Sequence, residues 1–248
     1  MASAGSEYDE VPYLAPSFAN TYPDALAVAA LLRGLEVPPL AGARVLELGC
    51  ARGANLVPMA RSMPGAEFAG VALSRRQIQA ARERAAAAAT PNVTFHAMDL
   101  RDLDDSFGTF DYVVAHGLFS WVPRDVQEAL LEVCARRLSP NGIVYLSYNT
   151  LPGWSSGVMF REMVLYRVRG LANPSERLRE ARSFLRFLAG AARPKGSIWA
   201  AMLEEHASYF EQEHDWYLLH DDLEAENHPV YFHEIVERAG RHGLQYVT

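Results

Sequence analysis

Arg44-Val45-Leu46-Glu47-Leu48-Gly49-Cys50-Ala51-Arg52-Gly53-Ala54-Asn55 is the stretch from which the rest of the chain is read. Val45 to Leu48 is a short apolar run of the length and type of a buried parallel strand. A turn holding Gly49 and Gly53 follows, and then helical spacing at Leu56, Met59, Ala60 and Met63. Strand, glycine turn and helix form the first half of a nucleotide-binding βαβ unit. The glycines let the backbone approach a ligand, and the helix N-terminus offers N–H groups to an anionic part of it. Alone, such a turn suits a ligand-free connection equally well. Glu47 shifts the balance, because a carboxylate facing the turn repels a pyrophosphate and suits a cofactor with a cationic group.

The chain has 248 residues, enough for one α/β core and an insertion, and half of them are hydrophobic, which excludes a disordered chain. A net charge of -7 argues against broad nucleic-acid binding and fits a cationic or neutral substrate. The two cysteines, Cys50 and Cys134, lack metal-ligand spacing, so a reducing compartment without a disulfide or a metal site is expected. No signal peptide and no apolar span of about 18 residues is visible, which makes the cytoplasm the default and leaves no membrane partner.

Beyond the opening motif, strands are expected at Glu67 to Ala72, Val93 to Ala97, Phe110 to Ala115 and Ile143 to Tyr148. Pro140-Asn141-Gly142 reads as a turn before the last of these. Helices are expected from Asp24 to Leu35, from Ser74 to Ala89 and from Pro123 to Leu138. That alternation implies a Rossmann-like, doubly wound, mostly parallel sheet with helices on both faces. Residues 154–230 break the rhythm as a helical insertion, with helices at Met159 to Leu171, Ser175 to Ala191 and Ile198 to Gln212. Its charge is uneven: nine basic and three acidic residues over 161–195, against eleven acidic and two basic over 196–248. Opposed faces of neighbouring helices explain this, and an acidic rim guiding a basic substrate is the alternative. Residues 231–248 return to the core as a helix and a sixth strand, Gly243 to Val247. Residues 1–153 thus hold an N-terminal arm and the cofactor-binding core. The arm, Tyr8 to Tyr22, is rich in proline and aromatic residues, Tyr13 among them, and reads either as packing or as a lid.

In an open parallel sheet ligands bind beyond the carboxyl ends of the strands. The candidates are therefore Glu47, Gly49, Cys50, Gly53 and Asn55, then Ala72-Leu73, Asp99-Leu100, His116 and Tyr148-Asn149. Asp99 can accept from an adenine amino group or cap the turn that follows it. His116, beside Gly117, is a candidate base. Four polar residues in a row, Ser147 to Thr150, are not needed for packing and suit an acceptor pocket.

Glu47-Leu48-Gly49-Cys50, Ala115-His116-Gly117, Ser120-Trp121-Val122-Pro123, Ser147-Tyr148-Asn149-Thr150, Pro152-Gly153-Trp154 and Pro229 to Glu234 together resemble one family. It is the bacterial class I S-adenosylmethionine-dependent methyltransferases with a methyltransferase regulatory domain, which include protein lysine methyltransferases acting on outer-membrane proteins. The resemblance runs from about Tyr8 to Tyr246. It implies S-adenosylmethionine as cofactor, with Glu47 at its amino group, Asp99 at its adenine, and a lysine side chain as one acceptor. His116 or Tyr148 would take or relay the acceptor's proton. Tyr13, Trp121, Tyr148, Asn149 and Trp154 would line the acceptor site. Three departures stand out: Ala51 replaces a usual glycine, Ala72 replaces the acid that holds the ribose, and the family continues beyond a sixth strand. A small-molecule methyltransferase and a non-catalytic binding relative are the alternatives. The acceptor, a protein or a small molecule, and the oligomeric state are not specified by the sequence.

Overall fold

The computed structural model describes residues 16–248. The described residues divide into two compact units, 16–151 with 226–248, and 152–225. The first is built on five parallel strands: β1 (Arg44–Leu48), β2 (Glu67–Ala72), β3 (Val93–Ala97), β4 (Phe110–Ala115) and β5 (Leu138–Leu146). Their order is β3-β2-β1-β4-β5, so the chain reverses direction across the sheet between β1 and β4. That reversal opens a crevice at the carboxyl ends of those two strands.

Alternation along each strand sends side chains to two cores. On one face Val45, Phe68, Phe95 and Tyr112 pack under α1 (Pro23–Leu31), α2 (Leu56–Ser62) and α3 (Arg75–Ala87). On the other Leu46, Leu48, Val71 and Val113 pack under α4 (Arg124–Arg137). Ser74 caps α3 by accepting from Gln77 N at 3.1 Å, and Pro23 opens α1 where a missing N–H costs nothing.

Two local expectations are corrected. Pro140-Asn141-Gly142 lies within β5 rather than before it, because the register jumps from Phe110↔Leu138 to Tyr112↔Ile143. The turn is absorbed as a bulge, with Asn141 left-handed at φ 62. The sixth strand does not form: Leu244 to Thr248 make no sheet pairing. Side-chain contacts hold that segment instead. Leu244 packs on the second core, and Tyr246 meets Phe232 edge-on at 4.9 Å. A small second sheet pairs β6 (Thr150–Leu151) with β7 (Val230–Tyr231), and α8 (Phe232–Arg241) follows it.

The other unit is helical. Its α5 (Ser155–Val168), α6 (Pro174–Ala191) and α7 (Ile198–Gln212) close on Phe160, Val164, Leu178, Leu185, Leu203 and Phe210. Asn173 and Ser197 cap α6 and α7 by accepting from Glu176 N and Ala200 N. A wide-turn helix, Leu218–Asp222, ends the unit. The basic stretch of α6 and the loop after it pairs with the acidic stretch around α7: Arg182–Asp215 at 2.7 Å, Arg186–Glu211 at 2.6 Å and Lys195–Glu204 at 3.7 Å. The uneven charge therefore reflects opposed helix faces.

Candidate functional site

The crevice begins at Glu47, which β1 carries into the interior until only 4% of it is exposed. Its Oε1 accepts from Asn55 Nδ2 at 2.8 Å, whereas its Oε2 is buried and unpartnered among the described residues. Burial raises its pKa from 4.5 to about 7, and the Asn55 hydrogen bond pulls the other way. A buried carboxylate with an orphaned oxygen is costly unless it takes up a proton or meets a cation. The donor set therefore fits a ligand carrying an ammonium, such as S-adenosylmethionine.

The glycine turn is shaped by packing as much as by ligand access. Gly49 sits at φ +80 with Leu118 only 3.2 Å from where a Cβ would be. This brings the turn after β4 against the turn after β1. Gly53, at φ +67, leaves 2.8 Å between a Cβ and the Phe95 ring. Gly49 N and Cys50 N both donate to Val71 O, at 2.8 and 3.1 Å, and Gly53 N donates to Cys50 O. These three amides are thus used by the fold rather than presented to an anion. Cys50 is a buried free thiol whose pKa is raised by burial and by Glu47. Ala51 occupies φ 44, the left-handed region that a glycine would enter without strain.

Ala72 ends β2 opposite Ala97 of β3, and Leu73 after it is 60% exposed. Neither supplies a carboxylate. Glu67 pairs with Arg44 at the opposite end of β2, and Ser74 is engaged in capping. Asp99 caps the turn Leu100–Asp102 through Arg101 N at 2.9 Å, and the Arg101 guanidinium grips both its oxygens at 3.0 and 2.6 Å. That grip holds the Asp99 carboxyl below its ordinary pKa. Leu100 is buried in the second core.

At the end of β4, His116 stacks on Phe18 with ring centroids 3.8 Å apart and lies parallel to Tyr145 at 5.9 Å. Burial lowers its pKa, so the imidazole is neutral at pH 7. Gly117 N donates to Ser147 Oγ at 2.7 Å, tying the ends of β4 and β5 together. Tyr148 packs edge-on to Phe119, and burial raises its phenol pKa. Asn149 N donates to Ser120 Oγ at 2.8 Å, one residue before the half-buried Trp121. Trp154 belongs to the helical unit, where it covers Gly157. Tyr13 lies outside the described residues.

Two groups at this end of the sheet escape sequence reading. Phe18, from the arm, forms the His116 stack. The 226–228 segment crosses beside Asn149: Asn149 Nδ2 donates to Asn227 Oδ1 at 3.3 Å, His228 N donates to Ser120 O at 2.7 Å, and His228 Nε2 lies 2.6 Å from Glu226 Oε2. The spacing Glu226-x-His228 was visible, but its placement beyond β4 and β5 depends on contacts more than 70 residues apart in sequence. Among the described residues no three His, Cys, Asp or Glu side chains are arranged to hold a metal ion, and no helix is long and apolar enough to cross a membrane. A groove in the helical unit is lined by Arg179, Arg182, Arg186 and Asp215. The pairing of Arg182 and Arg186 described above marks it as structural.

Known proteins share this arrangement. Residues 45–142 match the family model described as "Methyltransferase domain", and residues 214–248 match "Predicted methyltransferase regulatory domain". Uncharacterized protein RP789 of Rickettsia prowazekii is 42% identical over 97% of this chain, which covers 44% of that protein. Uncharacterized protein RP028 of the same organism is 38% identical, over 94% of this chain and 93% of its own length. The structure of PKMT2 from Rickettsia typhi in complex with AdoHcy superposes with a TM-score of 0.87 at 37% identity, covering 96% of this chain and 46% of that one. The chain thus spans about half the length of RP789 and of PKMT2.

Proposed function

Because this chain belongs to the class I S-adenosylmethionine-dependent methyltransferases that carry a methyltransferase regulatory domain, we propose that it methylates a nucleophilic nitrogen or oxygen, a protein lysine amine first among them. S-adenosylmethionine supplies an electrophilic methyl carbon on a sulfonium sulfur. The observation that carries the reading is Glu47, whose buried Oε2, unpartnered among the described residues, is placed to meet a cation. Glu47 would hold the donor's ammonium, with Gly49, Cys50, Gly53 and Asn55 shaping the turn beside it. Ala72, Leu73, Asp99 and Leu100 would flank the adenosine. With alanine at position 72, one charged hydrogen-bond acceptor is missing, which costs roughly 1.5–3 kcal/mol of donor affinity.

The chain's own residues then align the acceptor and exclude water. A lysine must lose its proton before it attacks, and burial favours its neutral form. Neutral His116 can accept that proton, whereas Tyr148 keeps its own and serves as a relay. Trp121, Tyr148 and Asn149 would contact the acceptor. Residues 154–230, Trp154 among them, are the proposed acceptor-selecting insertion. The cytoplasm is the proposed location, consistent with two buried free cysteines. No nucleic-acid or membrane partner is proposed.

Calorimetric titration with S-adenosylmethionine and S-adenosylhomocysteine tests the reading. Saturable binding is expected, weakened about 10- to 100-fold by Glu47→Gln; no heat at millimolar ligand would overturn it. A second reading, a binding protein of the same family without catalysis, is favoured by Ala72 and by the strained Ala51. Under it, Ala72→Asp raises donor affinity and yields no methyl transfer. A small-molecule acceptor leaves every donor-side residue in the same role, and labelled-methyl transfer to peptides against small amines separates the two.

A further inference from the structure

Asn55 is 5% exposed, and its amide is used on both sides. One Nδ2 hydrogen goes to Glu47 Oε1 at 2.8 Å and the other to Thr21 Oγ1 at 3.0 Å. Its Oδ1 accepts from the backbone N–H of Phe18 at 2.9 Å. Thr21, itself fully buried, passes its own hydrogen to Phe18 O at 2.8 Å. One side chain thus holds a carboxylate of the glycine motif and two residues of the arm more than 30 positions away. The arm continues the connection, since Phe18 lies flat on His116 and Asn20 Nδ2 donates to Tyr145 OH at 2.8 Å. The ends of β1, β4 and β5 are therefore joined through residues 18–21.

We propose that Asn55 is a positioning residue that couples donor binding at Glu47 to the seating of the arm, and through Phe18 to the His116 side of the site. The inference rests on the donor reading given above. A cation at Glu47 Oε2 fixes the carboxylate, which fixes the Asn55 amide, whose remaining donor and acceptor are those that hold Thr21 and Phe18. The linkage is reciprocal: an arm seated on Asn55 presents Glu47 in its binding geometry. The donor thereby completes the aromatic wall against which the acceptor's proton is taken. Packing alone does not require this arrangement, because an apolar side chain at 55 could fill the same space without joining a carboxylate to the arm.

Hydrogen exchange of the Phe18 to Tyr22 amides, measured with and without saturating S-adenosylhomocysteine, tests the coupling alongside calorimetry of the same ligand. In the wild-type chain the ligand should slow exchange there by about 5- to 150-fold, the range of ordinary coupling. Asn55→Asp still accepts from Phe18 N but cannot donate to Glu47; Thr21→Val keeps the Glu47–Asn55 bond and removes one of the two bonds by which Asn55 holds the arm, leaving Phe18 N on Asn55 Oδ1. At ligand saturation, established by calorimetry for each variant, the effect on arm exchange should fall below about twofold in Asn55→Asp, which also weakens binding, and part of the way in Thr21→Val. A merely structural Asn55 would speed exchange in the free protein and leave the ligand-induced ratio intact. Retention of the full ratio in both variants overturns the proposal, as does ligand binding to the wild type without slower arm exchange. Absence of any binding heat in the wild type is a separate result, which removes the donor reading and the coupling with it.

Discussion

The two units handle polar groups in opposite ways. Around the sheet nine described polar side chains are buried, and three of them, Glu47, Asn55 and Thr21, form one hydrogen-bonded set at the strand ends with one carboxylate oxygen left over. In the helical unit the charges are many and paired at the surface, as in Arg182–Asp215, Arg186–Glu211 and Arg167–Glu180. Its exception is the wide-turn helix, where burial and their carboxylate neighbours raise Asp221 to about 7, and burial raises Asp222 to about 6. An unsatisfied buried charge destabilises the fold unless a ligand meets it, whereas exposed ion pairs contribute little either way. The comparison teaches that abundance of charge does not mark the site, and that an orphaned carboxylate oxygen does so only beside the glycine turn at the strand ends, since Asp221 in the helical unit carries one too.

That contrast can be broken in several ways. The largest effect is expected from Gly53→Ala, which combines a left-handed backbone with a Cβ 2.8 Å from Phe95. It should lower stability by about 2–4 kcal/mol in a denaturant melt. Next is the pH dependence of Glu47. Its folded pKa of about 7 lies above its ordinary 4.5, so its contribution to stability is fully present below pH 4.5 and lost as pH rises towards 7. The difference is on the order of 3 kcal/mol. Glu47→Gln should flatten that slope in melts between pH 5 and 8, and an unchanged slope would assign it to Asp221 and Asp222. A cation favours the ionised carboxylate, so S-adenosylhomocysteine should bind more weakly below pH 7 and release a proton on binding. A smaller gain is expected from Ala51→Gly, about 0.5–1 kcal/mol of stability, because relief of the left-handed strain exceeds the added chain entropy. The smallest is Arg186→Ala, at most about 1 kcal/mol, since its Glu211 pair is exposed.

Much of the sheet unit is legible because its signals are local. Apolar runs of strand length recur between helical spacings, and β1 to β4 fall at the residues expected. The α7 boundaries, Ile198–Gln212, likewise follow from spacing and a serine cap. What escapes is non-local. Pro140-Asn141-Gly142 carries every local signal of a turn, and only pairing with β4 draws it into a strand. Gly243 to Val247 has strand composition, yet pairing is decided by a neighbouring edge rather than by propensity. At the site, Glu47 and the glycines announce themselves, and His116 follows from its place at a strand end. The partners that give them their chemistry, Phe18 on His116 and Thr21 on Asn55, come from an arm whose sequence only says that it is aromatic and proline-rich.

The bulge in β5 bears on solubility. Among the described residues β5 is the last strand in the order, and its outer row of amides and carbonyls has no strand partner there. Pro140 removes one donor from the strand, and the left-handed Asn141 kinks the backbone where a flat stranger would need a regular ladder. Straightening this stretch, by replacing Pro140-Asn141 with valines, would turn a guarded border into a template for intermolecular stacking.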